Sequence, residues 1–344
     1  MMQQLVFVSP ENLAWRECLT PTLQNDHQAI VKPIVVGRCD LDSLFVSGQM
    51  PLKEGEPIGH EVIAEIVELG ELAARHFYIG QRVLVSAQIC CGECVMCRRG
   101  QTGRCQRVPF AASYGMGREG NFGAALADLM RIPFASAMLV PLPAAADPCA
   151  IIGLADMSTD AWRAVGPALQ ERPKARVLVL GGMTPVIGIY CAGMAVSLRA
   201  ELVDYIDEDA ERKNLACNYG ARVFNHIEES DCRDYDIVVD ASGSAAQLLE
   251  GLHRTAADAF VISVAPAFVG PEFPMLALYQ KGITYKVGRP NCRHGLDGAM
   301  LCCASNGFDP SVISPKIFPF DLAHEAWCDH SAYVAVSRMP RGGT

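Results

Sequence analysis

From residue 1 to about 150 the chain sets short apolar runs between glycine, proline and aspartate. QQLVFV, AIVKPIVV, EVIAEIVEL and RVLVSA are rich in valine and isoleucine and read as strands. From about 157 the rhythm changes. ARVLVLG (175–181) is a short apolar run ending in glycine, and PVIGIYCAGMAVSLR (185–199) is a longer one that reads as a buried helix. AELVDYID (200–207) is the next strand, and EDAERKNLACNYGA (208–221) reads as an amphipathic helix with a glycine stop. ARVFN, DYDIVVDAS, DAFVISVA and GITYKV follow as strands. Short strands separated by helices predict a parallel, doubly wound sheet. After about 289 this rhythm is lost, and the chain is expected to return to its first domain. The expectation is an α/β protein with a mainly β domain (1–156 and 289–344) and a doubly wound domain (157–288).

Composition narrows the class. In 344 residues, 29 Lys plus Arg face 38 Asp plus Glu, a net charge of −9, which argues against a nucleic-acid partner. Half the residues are hydrophobic, enough for a large core and against disorder. No apolar run reaches the ~18 residues of a membrane span. MMQQLVFVSPENLAWRE has neither a basic start nor a long apolar stretch, so no secretion signal is expected. Of 15 cysteines, five fall between Cys90 and Cys105, a clustering that points to metal binding in a reducing, cytoplasmic setting. Cys191, Cys217, Cys302 and Cys303 read as small hydrophobes.

CGECVMCRRGQTGRC places Cys91, Cys94, Cys97 and Cys105 at x2, x2, x7 spacing. Two-residue gaps turn consecutive thiolates toward one ion, and the longer gap lets the chain return the fourth. Four thiolates suit a closed tetrahedral Zn²⁺, which stabilises a lobe (about 90–106) with little core of its own. An iron–sulfur cluster and unligated thiols are the competing readings. Cys90 is off the spacing. A second candidate cluster pairs Cys39 in GRCDLDS with His60 in EPIGHEV. Taken alone, a cysteine and a distant histidine are weaker evidence than a structural histidine.

LGGMTPVIG (180–188) lies between an expected strand and helix, where a phosphate-binding turn belongs. Gly181, Gly182 and Gly188 depart from G-x-G-x-x-G, with a loop about one residue longer. Asp207 ends the next strand, where a carboxylate accepts the adenosine ribose hydroxyls and repels a 2′-phosphate, which favours NAD over NADP. Asp204 and Asp209 are the alternatives, and no basic residue follows Asp207 before Arg212. Ser242 and Gly243 end a strand at the sheet's ligand edge, near the expected nicotinamide ribose; a plain turn is the other reading.

The Cys-x-x-Asp loop, the Gly-His-Glu motif, the four-cysteine lobe and the nucleotide fold occur in the order and at the intervals of one family. The chain resembles the zinc-dependent medium-chain dehydrogenase/reductase family, the alcohol dehydrogenases. The resemblance implies a GroES-like catalytic domain and a Rossmann domain. It implies a catalytic zinc held by Cys39, His60 and a third ligand near the domain junction, where Asp156 matches, with Cys149 as rival and a helix cap as the plain alternative. It also implies that Glu61 can approach the metal and that Asp42 orients the histidine. Three protein ligands leave a position for substrate.

One departure stands out. Where the family carries Ser or Thr two residues after the ligand cysteine, this chain has Leu41, and Leu44 stands where some members carry a relay histidine. Leucine relays no proton. Ser43, Ser158, Thr159 and Asp160 are candidate substitutes. The resulting expectation is a cytoplasmic homodimer or homotetramer that uses NAD and two zinc ions per chain to interconvert an alcohol and a carbonyl compound. The alternatives are an NAD-binding sensor without catalysis, a zinc-free NADPH-dependent enone or quinone reductase, and a purely structural zinc module.

Overall fold

The computed structural model describes residues 1–339, which fall into two compact units. Unit 1 contains residues 1–156, 291–296 and the described residues from Ser314 on; unit 2 contains 157–290 and 297–313.

Unit 1 opens with the antiparallel pair β1 (Met2–Ser9) and β2 (Asn12–Cys18). Next come β3 (Ala29–Gly37), β4 (Glu61–Leu69), β5 (Arg82–Val85), β6 (Met130–Ile132) and β7 (Leu139–Pro141). β3 and β4 are buried along most of their length, which is why they read as apolar runs rather than alternating ones. Pro33, which cannot donate to a ladder, sits at an irregularity in the β3–β4 pairing.

Unit 2 holds β8 (Arg176–Leu180), β9 (Leu202–Ile206), β10 (Arg222–Phe224), β11 (Tyr235–Asp240), β12 (Thr255–Ser263) and β13 (Thr284–Val287). All pairings are parallel, in the order β10-β9-β8-β11-β12-β13. Counted within the unit this is 3-2-1-4-5-6, the doubly wound dinucleotide-binding order, with its switch point between β8 and β11. The helix Pro185–Ser197 follows β8 and is apolar on all sides because it is buried.

The chain then completes unit 1 with β14 (Lys316–Pro319) and β15 (Val334–Ser337). The larger sheet runs β14-β15-β3-β4-β5-β7, with β6 on β3. Val31, Val36, Val62, Ile66, Val85, Phe45 and Trp327 lie in its core; each such side chain stabilises the fold by ~1.5–3 kcal/mol.

Two expectations need correction. The return to unit 1 comes in two pieces, because residues 297–313 pack with unit 2. There the Phe308 ring meets Tyr190 edge-on at 5.5 Å and stacks on Tyr219 at 5.6 Å. The helix expected over 208–221 spans Ala210–Asn218 and buries only Ala216, so it is a polar surface helix rather than an amphipathic one. Among the described residues, no helix is long and apolar enough to cross a membrane.

Candidate functional site

Strand register brings Cys39 and His60 together. Gly37 at the end of β3 pairs with Glu61 at the start of β4. Cys39, two residues beyond Gly37, and His60, one before Glu61, therefore emerge at the same end of the pair despite 21 residues of separation. Cys39 is the extended residue before the helix Asp40–Val46, and its amide donates to Asp42 Oδ2 at 3.2 Å. The 3₁₀ turn Ile152–Leu154 delivers Asp156 to the same place.

Cys39, His60 and Asp156 are buried, and one ligand atom from each lies within 4.8 Å of the others. His60 Nε2 stands 3.3 Å from Asp156 Oδ2. Metal–N and metal–O bonds of about 2.0–2.1 Å at a tetrahedral angle give an edge of about 3.3 Å, so this pair has the spacing of two ligands on one ion. His60 Nε2 is buried and has no hydrogen-bond partner, as expected of a nitrogen that a metal ion would engage. The thiol, imidazole and carboxylate fit Zn²⁺. Asp42 Oδ1 lies 3.5 Å from His60 Nδ1, on the side of the ring away from Asp156.

The local electrostatics follow from burial among carboxylates. Burial pulls the His60 pKa down, but Asp42 and Asp156 outweigh it and carry it to about 9. Burial lifts Asp42 to about 6 against the pull of His60. Burial also opposes ionisation of Asp156, yet the neighbouring His60, with the Cys292 and Cys39 thiols, holds its carboxyl below the usual range.

Glu61 lies just outside this trio. Its Oε2 accepts the Tyr333 hydroxyl at 3.0 Å and fills the space where a Cβ on Gly37 would sit, 2.1 Å away. Cys149 sits apart, with its amide on Asp147 and its thiol near Ser337. Leu41 packs on the unit 1 core, Leu44 is buried, and Ser43 points to solvent. Asp160 accepts Arg163 at 2.5 Å.

Cys91, Cys94, Cys97 and Cys105 converge in the same way, within 4.8 Å of one another. The short helix Val95–Arg98 presents Cys94 and Cys97 on one side. Backbone amides face the sulfurs: Cys94 donates to Cys91 Sγ at 3.4 Å, and Cys97 and Gln106 both donate to Cys94 Sγ at 3.5 Å. Burial raises the Cys94 pKa, but the Gln106 and Cys97 amides together with the Cys97 and Cys91 thiols prevail and bring it to about 6. The buried Cys90 thiol is pushed up to about 12 and stays outside the quartet.

In unit 2 the turn after β8 carries the glycines. Gly182 adopts φ +145°, and its would-be Cβ lies 3.0 Å from Ser242 backbone. Gly181 leaves room for Asp207 Oδ2 and the Tyr205 hydroxyl, both within 2.6 Å of a Cβ placed there. Gly188 packs its helix against Ala241 and Tyr205. The Met183 and Thr184 amides donate to the carbonyls of Ser242 and Ala241, which ties this turn to the end of β11. Asp204 is committed elsewhere, to Arg222 at 2.7 and 2.8 Å, Ser230 at 2.6 Å and Tyr235 at 2.5 Å. Asp209 caps the next helix through the Arg212 amide. Asp207 accepts Tyr205 at 2.9 Å, and Arg212 folds back to Gly182 O at 3.1 Å and to within 3.7 Å of Asp207.

Three neighbours escape a reading of the sequence. Cys292 donates its thiol to Asp156 Oδ1 at 3.2 Å, Tyr333 holds Glu61, and Tyr205 holds Asp207. No spacing marks them, since Cys292 and Tyr333 come from segments far along the chain.

Two cysteine-bearing clusters with the spacing of metal ligands in a mainly β unit, and a 3-2-1-4-5-6 parallel sheet with a glycine turn and a carboxylate, are the features of the dinucleotide-binding, zinc-type oxidoreductase class. The family profile for the alcohol dehydrogenase GroES-like domain matches residues 25–144. The zinc-type alcohol dehydrogenase B of Aspergillus flavus is 25% identical over 344 residues, covering 95% of this chain and 78% of its own. The solved alcohol dehydrogenase TADH of Thermus sp. ATN1 is 27% identical, with a TM-score of 0.86 over 98% of this chain and 99% of that one. The rspB alcohol dehydrogenase of Escherichia coli CFT073, solved with NADH, shares the fold at 20% identity and a TM-score of 0.81, over 98% and 99% of the two chains. Residues 25–144 thus carry the alcohol dehydrogenase GroES-like domain, and the chain along its length is similar to zinc-type alcohol dehydrogenases of the medium-chain kind.

Proposed function

We propose that this chain is an NAD-dependent dehydrogenase that interconverts an alcohol and an aldehyde or ketone, with two zinc ions per chain. The observation that carries it is the buried trio Cys39, His60 and Asp156, with His60 Nε2 unpartnered among donors of ligand type. Zn²⁺ held there supplies Lewis-acid polarisation of the substrate oxygen. Cys39, His60 and Asp156 contribute two negative charges and one neutral nitrogen when bound. Asp42 orients His60 from the Nδ1 side, and Tyr333 and Gly37 set the position of Glu61. Cys91, Cys94, Cys97 and Cys105 hold a closed structural ion.

Asp207 supports NAD rather than NADP. It stands at the end of β9 against the glycine turn, where it would accept ribose hydroxyls and repel a 2′-phosphate. Gly182 and Ser242 shape the turn beside it. The exposed Met275, Leu276, Tyr279 and Val287 near the open edge strand β13 support a homo-oligomer, a dimer or tetramer. Fifteen cysteines without a disulfide suit a reducing, cytoplasmic setting.

Metal analysis with an alcohol and aldehyde panel tests the reading. About two zinc ions per chain and NAD-linked turnover are expected. Cys39→Ser is expected to abolish turnover while the fold and NAD affinity persist; retained turnover would place the chemistry elsewhere. Leu41 favours a second reading, an NAD-binding protein without catalysis, for which NAD would bind and the whole panel stay silent.

A further inference from the structure

The returning segment Asn291–Leu296 enters unit 1 beside both metal clusters. Asn291 Oδ1 accepts the Gly103 amide at 3.1 Å and Arg104 Nη1 at 3.2 Å, two residues in the last gap of the four-cysteine lobe. The imidazole of His294 lies 3.0 Å from where a Cβ on Gly100 would stand. Between these anchors the Cys292 amide donates to Gln88 Oε1 at 3.1 Å. The backbone of Cys292 is therefore fixed from both sides. Its side chain, 1% exposed, reaches Asp156 Oδ1 at 3.2 Å.

The two oxygens of Asp156 thus face different groups. Oδ1 accepts the Cys292 thiol, and Oδ2 lies 3.3 Å from the unpartnered Nε2 of His60. A carboxylate with one oxygen engaged by an outer donor presents the other to an ion in a single orientation. Outer partners of this kind typically alter metal affinity by 10–100-fold. Cys292 is not among the atoms that close within 4.8 Å of one another, which separates it from the ligand set.

We propose that Cys292 is a positioning residue for the Cys39, His60 and Asp156 cluster: its thiol holds Asp156 Oδ1 so that Oδ2 serves as the metal donor, and the lobe-anchored Asn291–His294 segment holds the thiol in place. The inference rests on the zinc reading of that cluster. It assigns a role to a cysteine that no motif contains, and it gives the four-cysteine lobe a second task, as the support on which this segment is seated.

The test is metal binding, measured on the full chain with Zn²⁺ and with Co²⁺. The wild-type protein is expected to take two ions. Cys292→Ala is expected to weaken one of them by about 10–100-fold, leaving the other at wild-type affinity. Cys292→Ser keeps a donor and is expected to recover most of the loss. In the Co²⁺ protein, the thiolate charge-transfer band of the weakened site should keep its intensity in both variants, while its d–d bands shift in the alanine variant alone. Unchanged affinity and d–d bands in Cys292→Ala would overturn the positioning role. Loss of charge-transfer intensity in both variants would also overturn it, by making Cys292 a ligand. A wild-type chain that takes only one ion would instead overturn the zinc reading of the cluster, and the proposal with it.

Discussion

The two cysteine-bearing clusters of unit 1 are built in opposite ways. The four-cysteine lobe draws all its sulfurs from 15 consecutive residues and orients them with backbone amides, around a turn of helix only four residues long. The Cys39, His60 and Asp156 trio draws on three distant segments and orients them by the register of β3 against β4. The lobe has little else to fold around, whereas the trio sits on a sheet that folds for its own reasons. On the proposed reading, an ion in the lobe would contribute to folding and an ion on the trio to chemistry.

The largest expected effect breaks the lobe. Cys97→Ser removes one of four ligands and should cost about 3 kcal/mol or more, roughly 6–12 °C in thermal midpoint. Cys39→Ser should leave the midpoint within a few degrees by the same calorimetry. Equal losses would erase the distinction between a structural and a catalytic cluster.

Next comes the trio without metal. In the metal-free protein His60 stands between the carboxylates of Asp42 and Asp156, both buried. Its removal strands two negative charges, and breaking a buried pair costs about 3–5 kcal/mol. His60→Ala should therefore unfold at lower denaturant than the metal-free parent. His60→Ala together with Asp42→Asn should recover part of the difference. If the single variant matches the parent, the trio is not held by its own charges.

The same contrast explains what could be read from the sequence. Cysteine spacing exposed the lobe because its geometry is local. The parallel sheet was legible because most of β8, most of β11 and the last three residues of β12 are buried and so appear as short apolar runs. Register is not written in spacing, so Cys39 and His60 gained meaning only beside other motifs. An aspartate before the helix Met157–Glu171 looks like any cap until Asp156 is seen against His60. Cys292 was hidden among fifteen cysteines, 136 residues from its partner. The polar surface of Ala210–Asn218 misled for a related reason, since charge periodicity does not say whether the opposite face is covered.

Unit 2 gives a sharper, smaller test of the cofactor assignment. Asp207 accepts the Asp209 amide at Oδ1 and the Tyr205 hydroxyl at Oδ2, and Oδ2 is the oxygen that faces the glycine turn. A hydrogen bond to a charged group is worth about 1.5–3 kcal/mol, so Asp207→Ala should weaken NAD by about 10–100-fold. NADP should lose little or bind better, because the repulsion is gone and Arg212 lies close by. Fluorescence titration with both cofactors measures this. An equal loss for both would mean that Asp207 supports the fold of the turn and does not select the ribose.

The smallest effect concerns Leu41. It lies in the first turn of the helix Asp40–Val46, two residues beyond Cys39, and packs on the unit 1 core. Its side chain has no group that accepts or passes a proton. Leu41→Ser sets a hydroxyl there and removes apolar contact that the core uses. If proton removal contributes to the slow step, turnover at neutral pH should rise by up to about fivefold, about 1 kcal/mol of barrier. The gain should shrink at alkaline pH, where solvent base replaces the relay. A rise that is constant across pH would point to a changed pocket rather than a proton path. No rise at all, in a chain that already turns over, would mean that another group carries the proton.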